Sequence, residues 1–321
     1  MKIRHRLLFA PMIALTALAA CQQDDTAESA DAAAEPAAQP AADTPAAMKT
    51  SHTVDVIARD FSFEVPEQIP SGWTTFRFEN AGAQEHFMAL TRMPEGLTVD
   101  DYKNDVVVGA FGAAMGPYAA GEVDLASALE TLGGLLPEWF GQLVNAGGPG
   151  LVSPGGVAVT TVELDPGYYV LECYVKTPDG RFHVDLGMLT GMVVTDEPSG
   201  ASAPEADFDV TLANYVIDAP DVVGAGKHRV RVRFLEDPEG LLKHDLHLVR
   251  LAGDVTIADV VPWMDWVDGM MAPAPAEFIG GAEQMAAGGV QYMTLDLEPG
   301  SYAWISEAYS PRGMVKGFSV E

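Results

Sequence analysis

Apolar and polar residues alternate along much of this chain. In "TVDVIARDFSFEV" Val54, Val56 and Ala58 fall on one side, and Asp55 and Arg59 fall on the other. A period of two places one set of side chains on each face of an extended strand. Further short runs, "TTFRFEN", "HFMALTRM", "AVTTVELD", "YYVLECYV" and "GMLTGMVVTD", are rich in β-branched and aromatic residues. Gly, Pro or Asn bounds them, as expected for strands that end in turns. Many short strands and few helices predict an antiparallel β-sandwich. One stretch breaks the pattern. "AAGEVDLASALETLGGLLPEWFGQLVNAGG" has Leu and Val at helical spacing. It predicts one or two amphipathic helices, broken at Gly133-Gly134 and at Pro137.

The pattern occurs twice. Aligning Arg92 with Arg250 places His86 on His244, Leu90 on Leu248, Thr98 on Thr256 and Asp101 on Asp259. Each Thr-x-x-Asp unit reads as the N-cap of a short helix. A later pair, "VELDPGYYVLECYV" and "LDLEPGSYAWISEAY", sets Pro166-Gly167 on Pro299-Gly300 and Cys173 on Ser306. The first pair lies 158 residues apart and the second 133, so the first copy carries an insertion, the helical stretch. "DEPSGASAPEA" between the copies has linker composition. Domains are therefore expected at 51–197 and 207–321, joined by a linker at 198–206.

The N-terminus alters the cellular picture. Lys2, Arg4 and Arg6 precede an apolar run from Leu7 to Ala20, which is short for a membrane span and suits a signal sequence over 1–20. It ends in Leu18-Ala19-Ala20-Cys21, which resembles a bacterial lipobox. That resemblance implies lipid on Cys21 and attachment to a membrane surface. Gln22 after the cysteine favours the outer membrane over the inner, with the protein facing the periplasm. Residues 21–50 are mostly Ala, Pro and acid and read as a disordered tether. The formal charge of −28 excludes nucleic acid as an expected partner and suits a basic redox partner protein or simple solubility.

With Cys21 acylated, Cys173 is the one remaining thiol of two cysteines. It can form no internal disulfide and needs burial or a metal in an oxidising compartment. Downstream come His183, then Gly187-Met188, in a Cys-x9-His-x4-Met spacing. His86 opens a strand in the same copy. A β-sandwich with an upstream His, and a Pro-Gly-x-Tyr turn before a strand ending in Cys, His and Gly-Met, resembles the cupredoxins. The resemblance implies an all-β chain of two tandem Greek-key sandwiches with short inserted helices. It also implies one type 1 copper site, with His86, Cys173, His183 and Met188 as ligands and Met192 as the weaker alternative to Met188. The interval between Cys173 and His183 is longer than in the family's small electron carriers. Pro178-Asp179-Gly180 within it can form a tight turn.

The second copy retains His244 and Met314 but has Ser306 for the cysteine and Tyr309 for the second histidine. It is expected to hold no type 1 site and to serve packing, partner recognition or shielding. His244 reads as a core or surface histidine. "PWMDWVDGMMAPAPAEF", with Trp263, Met264, Trp266, Met270 and Met271, reads as core or as a partner groove. The expected function is one-electron transfer or copper handling, with a copper-free binding module as the alternative. No His-x-His or other catalytic motif points to an enzyme such as a nitrite reductase.

Overall fold

A computed structural model of the chain describes residues 51–321. The expected signal sequence, the lipidation expected at Cys21 and the expected tether lie outside the described residues. The first copy contributes β1 (Thr53–Arg59), β2 (Ser62–Glu64), β3 (Gln68–Asn80), β4 (Ala89–Arg92), β5 (Val144–Asn145), β6 (Val157–Leu164), β7 (Gly167–Glu172) and β8 (Leu189–Pro198). The second contributes β9 (Phe208–Ala213), β10 (Val216–Asp218), β11 (Val222–Val223), β12 (Gly226–Phe234), β13 (His244–Leu251), β14 (Glu277–Met285), β15 (Val290–Leu297), β16 (Gly300–Ile305) and β17 (Val315–Val320). Residues 199–206 form neither helix nor strand. No helix among the described residues is long and apolar enough to cross a membrane.

Both copies are β-sandwiches. In the first, β3 bends between two layers: Gly72–Glu79 pairs antiparallel with β6, and Gln68–Ser71 pairs parallel with β8. The second layer continues β8-β7-β4-β5. In the second copy the layers are β10-β9-β12-β15 and β11-β17-β16-β13-β14. Burial follows the alternation. Val230, Val232 and Phe234 of β12 point inward, and Arg229 and Arg233 lie outside. Phe76, Phe78 and Phe87 fill the first core, each stabilising by about 1.5–3 kcal/mol on burial. The Pro-Gly-x-Tyr turns also match. Tyr169 donates to the carbonyl of Asp165 at 2.8 Å, and Tyr302 to that of Glu298 at 2.9 Å.

The sandwiches share their sheets. β6 of the first copy pairs with β15 of the second, through Thr161↔Tyr292 and Thr160↔Met293. On the other layer, residues 146–153 run between β4 and β14. Met88 N–H donates to Pro149 O on one side, and Glu283 N–H donates to Gly148 O on the other. Glycines make this seam close. A Cβ on Gly150 would stand 2.6 Å from Gly281 Cα and 2.8 Å from His247 Nδ1.

The insertion is more helical than its sequence pattern indicates. A π-helical segment, Tyr102–Gly112, leads into helices Ala113–Ala119 and Leu125–Leu135. Gly133-Gly134 lies within the last of these and does not end it. The break comes at Leu136, whose ψ of 131° is the extended conformation required before Pro137. Glycine weakens a helix but keeps its N–H, whereas proline sterically bars the preceding residue from helical ψ. Both expected Thr-x-x-Asp caps form: Asp101 and Asp259 accept the N–H of Thr98 and Thr256 at 2.7 and 2.8 Å.

Two glycine substitutions test the seam. Gly150→Ala should lower stability by about 1–3 kcal/mol through overpacking. Gly133→Ala, where a Cβ meets nothing within 4 Å, should raise it by about 0.5–1 kcal/mol. Urea midpoints at constant m-value check both. Equal effects at the two positions would show that the seam is not tight.

Candidate metal centre

The site lies at one end of the first sandwich. His86 is held by an antiparallel bridge to Val152: its N–H donates to Val152 O at 3.2 Å, and its C=O accepts from Val152 N at 2.8 Å. The strand carrying the site thus docks directly on the seam. Cys173 follows β7, and its N–H donates to Met188 O at 3.2 Å. Met188 N–H returns to His183 O at 3.0 Å. Gly187 between them has φ of 114°, a conformation that favours glycine, so the Gly in Gly-Met has a backbone role.

The long interval between Cys173 and His183 closes on itself. Thr177 N–H donates to Arg181 O and Gly180 N–H to Thr177 O, both at 2.9 Å, so Pro178-Asp179-Gly180 is the tip of a turn. His183 N–H then reaches Val175 O at 2.8 Å. The extra residues loop out and bring His183 back opposite Val175, two positions beyond Cys173.

The side chains converge. His86, Cys173, His183 and Met188 are all fully buried. Cys173 Sγ lies 3.8 Å from His86 Nδ1 and 3.7 Å from His183 Nδ1. The two imidazole centroids are 4.9 Å apart. Each outer nitrogen has its own partner. His86 Nε2 donates to Asp60 Oδ1 at 2.7 Å, and Asp60 Oδ2 accepts Ala83 N–H at 3.0 Å. His183 Nε2 donates to Gln84 Oε1 at 3.2 Å, and the ring packs 4.7 Å from Phe61. These bonds fix both imidazoles with the proton on Nε2, so both Nδ1 lone pairs face the sulfur. A Cβ on Gly82 would fall 2.4 Å from Asp60 Oδ1, so that residue leaves room for the Asp60–His86 pair. Met192 is also fully buried, but on β8 opposite Tyr169, whereas Met188 is bonded through its backbone to both Cys173 and His183.

The electrostatics keep the imidazoles neutral. Burial lowers His86, against the hydrogen bond and charge of Asp60. Burial, with the nearby His86, pushes His183 down to about 3, again opposed by Asp60. Burial drives the Cys173 thiol up, while the backbone N–H groups of Phe87 and Val175 bond to the sulfur and favour thiolate. The metal-free pocket therefore holds two imidazole lone pairs and one thiol proton, and at 3.7–3.8 Å the contacts are long for hydrogen bonds. Donors spaced this way suit one ion at ordinary metal–ligand lengths of about 2.0–2.3 Å. Two imidazoles, a thiolate and a thioether form the donor set of a type 1 copper site.

The second copy has the same backbone with other side chains. Ser306 N–H donates to Met314 O, and Met314 N–H to Tyr309 O, both at 3.1 Å, with Gly313 at φ of 94°. Ser306 and Tyr309 thus occupy the places of Cys173 and His183. His244 is buried between the rings of Tyr215 and Tyr309. The Met-rich segment is core: Met264 and Met270 are fully buried in the cluster that contains Cys173 and Met188, and Met271 is partly exposed. Lys176 pins that segment to the first copy, donating through Nζ to the carbonyls of Val267 at 2.6 Å and Gly269 at 3.1 Å. Asp60, Gln84, Gly82 and the N–H groups of Phe87 and Val175 are functional features that motif spacing does not reveal. Only Gln84 and Phe87, beside His86, and Val175, beside Cys173, lie near enough in sequence to have suggested a role.

Sandwich and donor set together define a cupredoxin-like protein with a type 1-like centre. No family model and no curated protein matches the chain. Among solved structures it is similar to an auracyanin B, at 20% identity over 37% of this chain and 93% of that one, with a TM-score of 0.27. It is similar to dithionite-reduced auracyanin from Roseiflexus castenholzii, at 21% identity over 46% and 99%, with a TM-score of 0.26. A multicopper oxidase aligns over 84% of this chain and 88% of that one, at 14% identity and a TM-score of 0.23.

The depressed His183 gives a pH signature in the metal-free protein. Its unfolded imidazole takes up a proton near 6.5, and the folded one only near 3. Between those values the unfolded state binds more protons, so this group's share of stability falls as pH falls. The stability advantage of wild type over His183→Gln should therefore shrink by roughly 1.4 kcal/mol per pH unit below 6.5. Urea unfolding at pH 6.5, 5.5 and 4.5 measures it. A difference that does not change with pH would show that His183 is not held neutral.

Proposed function

We propose that this protein is an extracytoplasmic copper protein that passes one electron through a type 1 site at His86, Cys173, His183 and Met188. The observation that carries the reading is the convergence of two oriented Nδ1 lone pairs on one buried thiol. Copper would supply a one-electron couple between Cu(I) and Cu(II). The chain supplies rigidity. Both imidazoles are bonded from behind, the thiolate receives two backbone N–H groups, and the Cys–Met–His backbone bonds lock the loop. Donors that cannot move keep the reorganisation accompanying electron transfer small. Water is excluded, since all four side chains are fully buried. The way out runs through the groups behind the imidazoles: partly exposed Gln84 and Phe61, and Asp60, whose side chain is 24% exposed.

Lipid on Cys21 and a 21–50 tether would hold the centre near a membrane in the cell envelope, with the outer membrane favoured by Gln22. The acidic surface would suit a basic redox partner. Electron transfer is preferred over copper delivery because every ligand is buried and braced, and delivery requires ligands that can be handed over one at a time.

Metal-free protein of residues 22–321, given Cu(II), should bind one equivalent and show an intense visible thiolate–copper band that Cys173→Ala abolishes. Asp60→Ala should keep the band and weaken copper binding by about 10–100-fold, because Asp60 fixes the His86 ring. A colourless protein that binds no copper would reject this reading and favour a copper-free binding module.

A further inference from the structure

A second group of chemistry-bearing side chains lies at the seam, and the copper reading makes no use of it. Asp245, His247, Glu283 and Glu307 are all buried, Asp245 at 2% exposure and the others at 0%. β13 is buried on both sides. Leu246 and Leu248 fill the second core, while Val249 joins the first copy's cluster, so Asp245 and His247 share the face turned towards the first copy. Ligand atoms of Asp245, His247 and Glu307 lie within 4.8 Å of one another. In the repeat alignment Asp245 stands where the first copy has Phe87, and Glu307 where it has Tyr174. The first copy's aromatic pair, with ring centroids 4.6 Å apart, is replaced by two carboxylates.

The cluster is incompletely satisfied. Asp245 Oδ1 accepts Ser306 Oγ–H at 2.5 Å and Glu307 N–H at 3.0 Å. Tyr174 donates to Glu307 Oε2 at 3.0 Å. Glu307 Oε1 and both carboxylate oxygens of Glu283 have no hydrogen-bond partner, although both residues are fully buried. Asp245 and Glu307 act electrostatically on Glu283, and Glu283 on Tyr174, so Glu283 adds charge to the surroundings of the pair. The cation that acts on Glu307, Lys176, spends its ammonium on two carbonyls. An unpartnered buried carboxylate costs more than its neighbours here return, unless it is protonated or binds a cation. Burial first, and then the neighbouring Asp245, pushes both Glu283 and Glu307 well above the usual carboxylate range.

His247 is a positioning residue in this group. Its Nδ1 accepts Leu151 N–H at 3.1 Å, which places the ring proton on Nε2, where it donates to Asp245 Oδ2 at 3.2 Å. It orients the carboxylate and offers no lone pair. We propose that Asp245 and Glu307 form a second metal site, for a hard divalent cation of the Mn2+ or Ca2+ kind, with His247 and Tyr174 bracing the two carboxylates and the charge of Glu283 close by. All-oxygen donors select such ions over soft Cu(I). Tyr174, which donates to Glu307, and Gln284, bonded to Tyr174, also line a cavity of about 620 Å³.

This site does not depend on copper at Cys173. Metal-stripped full mature protein is titrated with Mn2+ and read by electron paramagnetic resonance. One equivalent should bind, persist in Cys173→Ala, and weaken at least about tenfold in Glu307→Gln, as expected when an oxygen ligand loses its charge, and weaken also in Glu283→Gln, which removes a nearby charge. Saturating Mn2+ should bleach the His247 ring signals in the wild-type NMR spectrum, a readout that needs no variant. Absence of Mn2+ binding, an unbleached His247, or unchanged affinity in folded Glu283→Gln and Glu307→Gln would overturn the proposal. Calcium that displaces the Mn2+ would identify a site shared by both ions and support it.

Discussion

The structure depends on the seam. Two sandwiches could have folded side by side, each with a solvated outer face. Instead residues 146–153 are hydrogen-bonded to β4 on one flank and to β14 on the other, and β6 pairs with β15 in the opposite layer. Every buried N–H and C=O on these edges needs a partner, and here the other copy supplies it. Close approach is possible because Gly148, Gly150 and Gly281 have no side chain where the backbones meet. Val152, on the same segment, holds the backbone of His86. Of the four converging side chains, the one furthest from the others in sequence is therefore positioned by the contact that joins the copies.

The pairing also shows how one copy keeps the fold without the donor set. The backbone bonds among Ser306, Tyr309 and Met314 repeat those among Cys173, His183 and Met188 within about 0.1 Å. What differs is the donor chemistry. Ser306 turns its hydroxyl to Asp245, and Tyr309 donates to Leu242 O at 2.7 Å. A sandwich core tolerates such exchanges because its stability lies in the sheets and not in the ligand loop. The same tolerance admits the carboxylates Asp245 and Glu307 at positions that are aromatic in the first copy.

Much of this was legible in the sequence. Alternation marked the strands, the repeat marked two equivalent units, and Cys173, His183 and Met188 stood out by type and spacing. What was not legible depended on partners distant along the chain. The return of His183 rests on Val175 and on a turn closed by Thr177 and Arg181. The role of Asp60 appears only when the chain brings it to His86. "HDLHL" reads as a strand with one polar face, yet β13 is buried on both sides because the first copy covers that face. A seam between copies leaves no local signature, so nothing in the sequence marks the carboxylate cluster as buried.

Charge distribution gives the buried cluster a physical meaning. A chain with a formal charge of −28 can place most of its acids in water at little cost. Asp245, Glu283 and Glu307 are among the few acids buried among the described residues, and Asp245 and Glu307 meet at the seam beside Tyr174, the residue after Cys173. Random drift in a degenerate copy would more readily replace a buried aromatic pair with other apolar residues, because each buried carboxylate destabilises the fold unless something compensates it. Ser306, His247 and Tyr174 each direct a hydrogen bond at the cluster, yet three carboxylate oxygens remain without one. Partners that orient the carboxylates while leaving lone pairs open are the arrangement a cation requires.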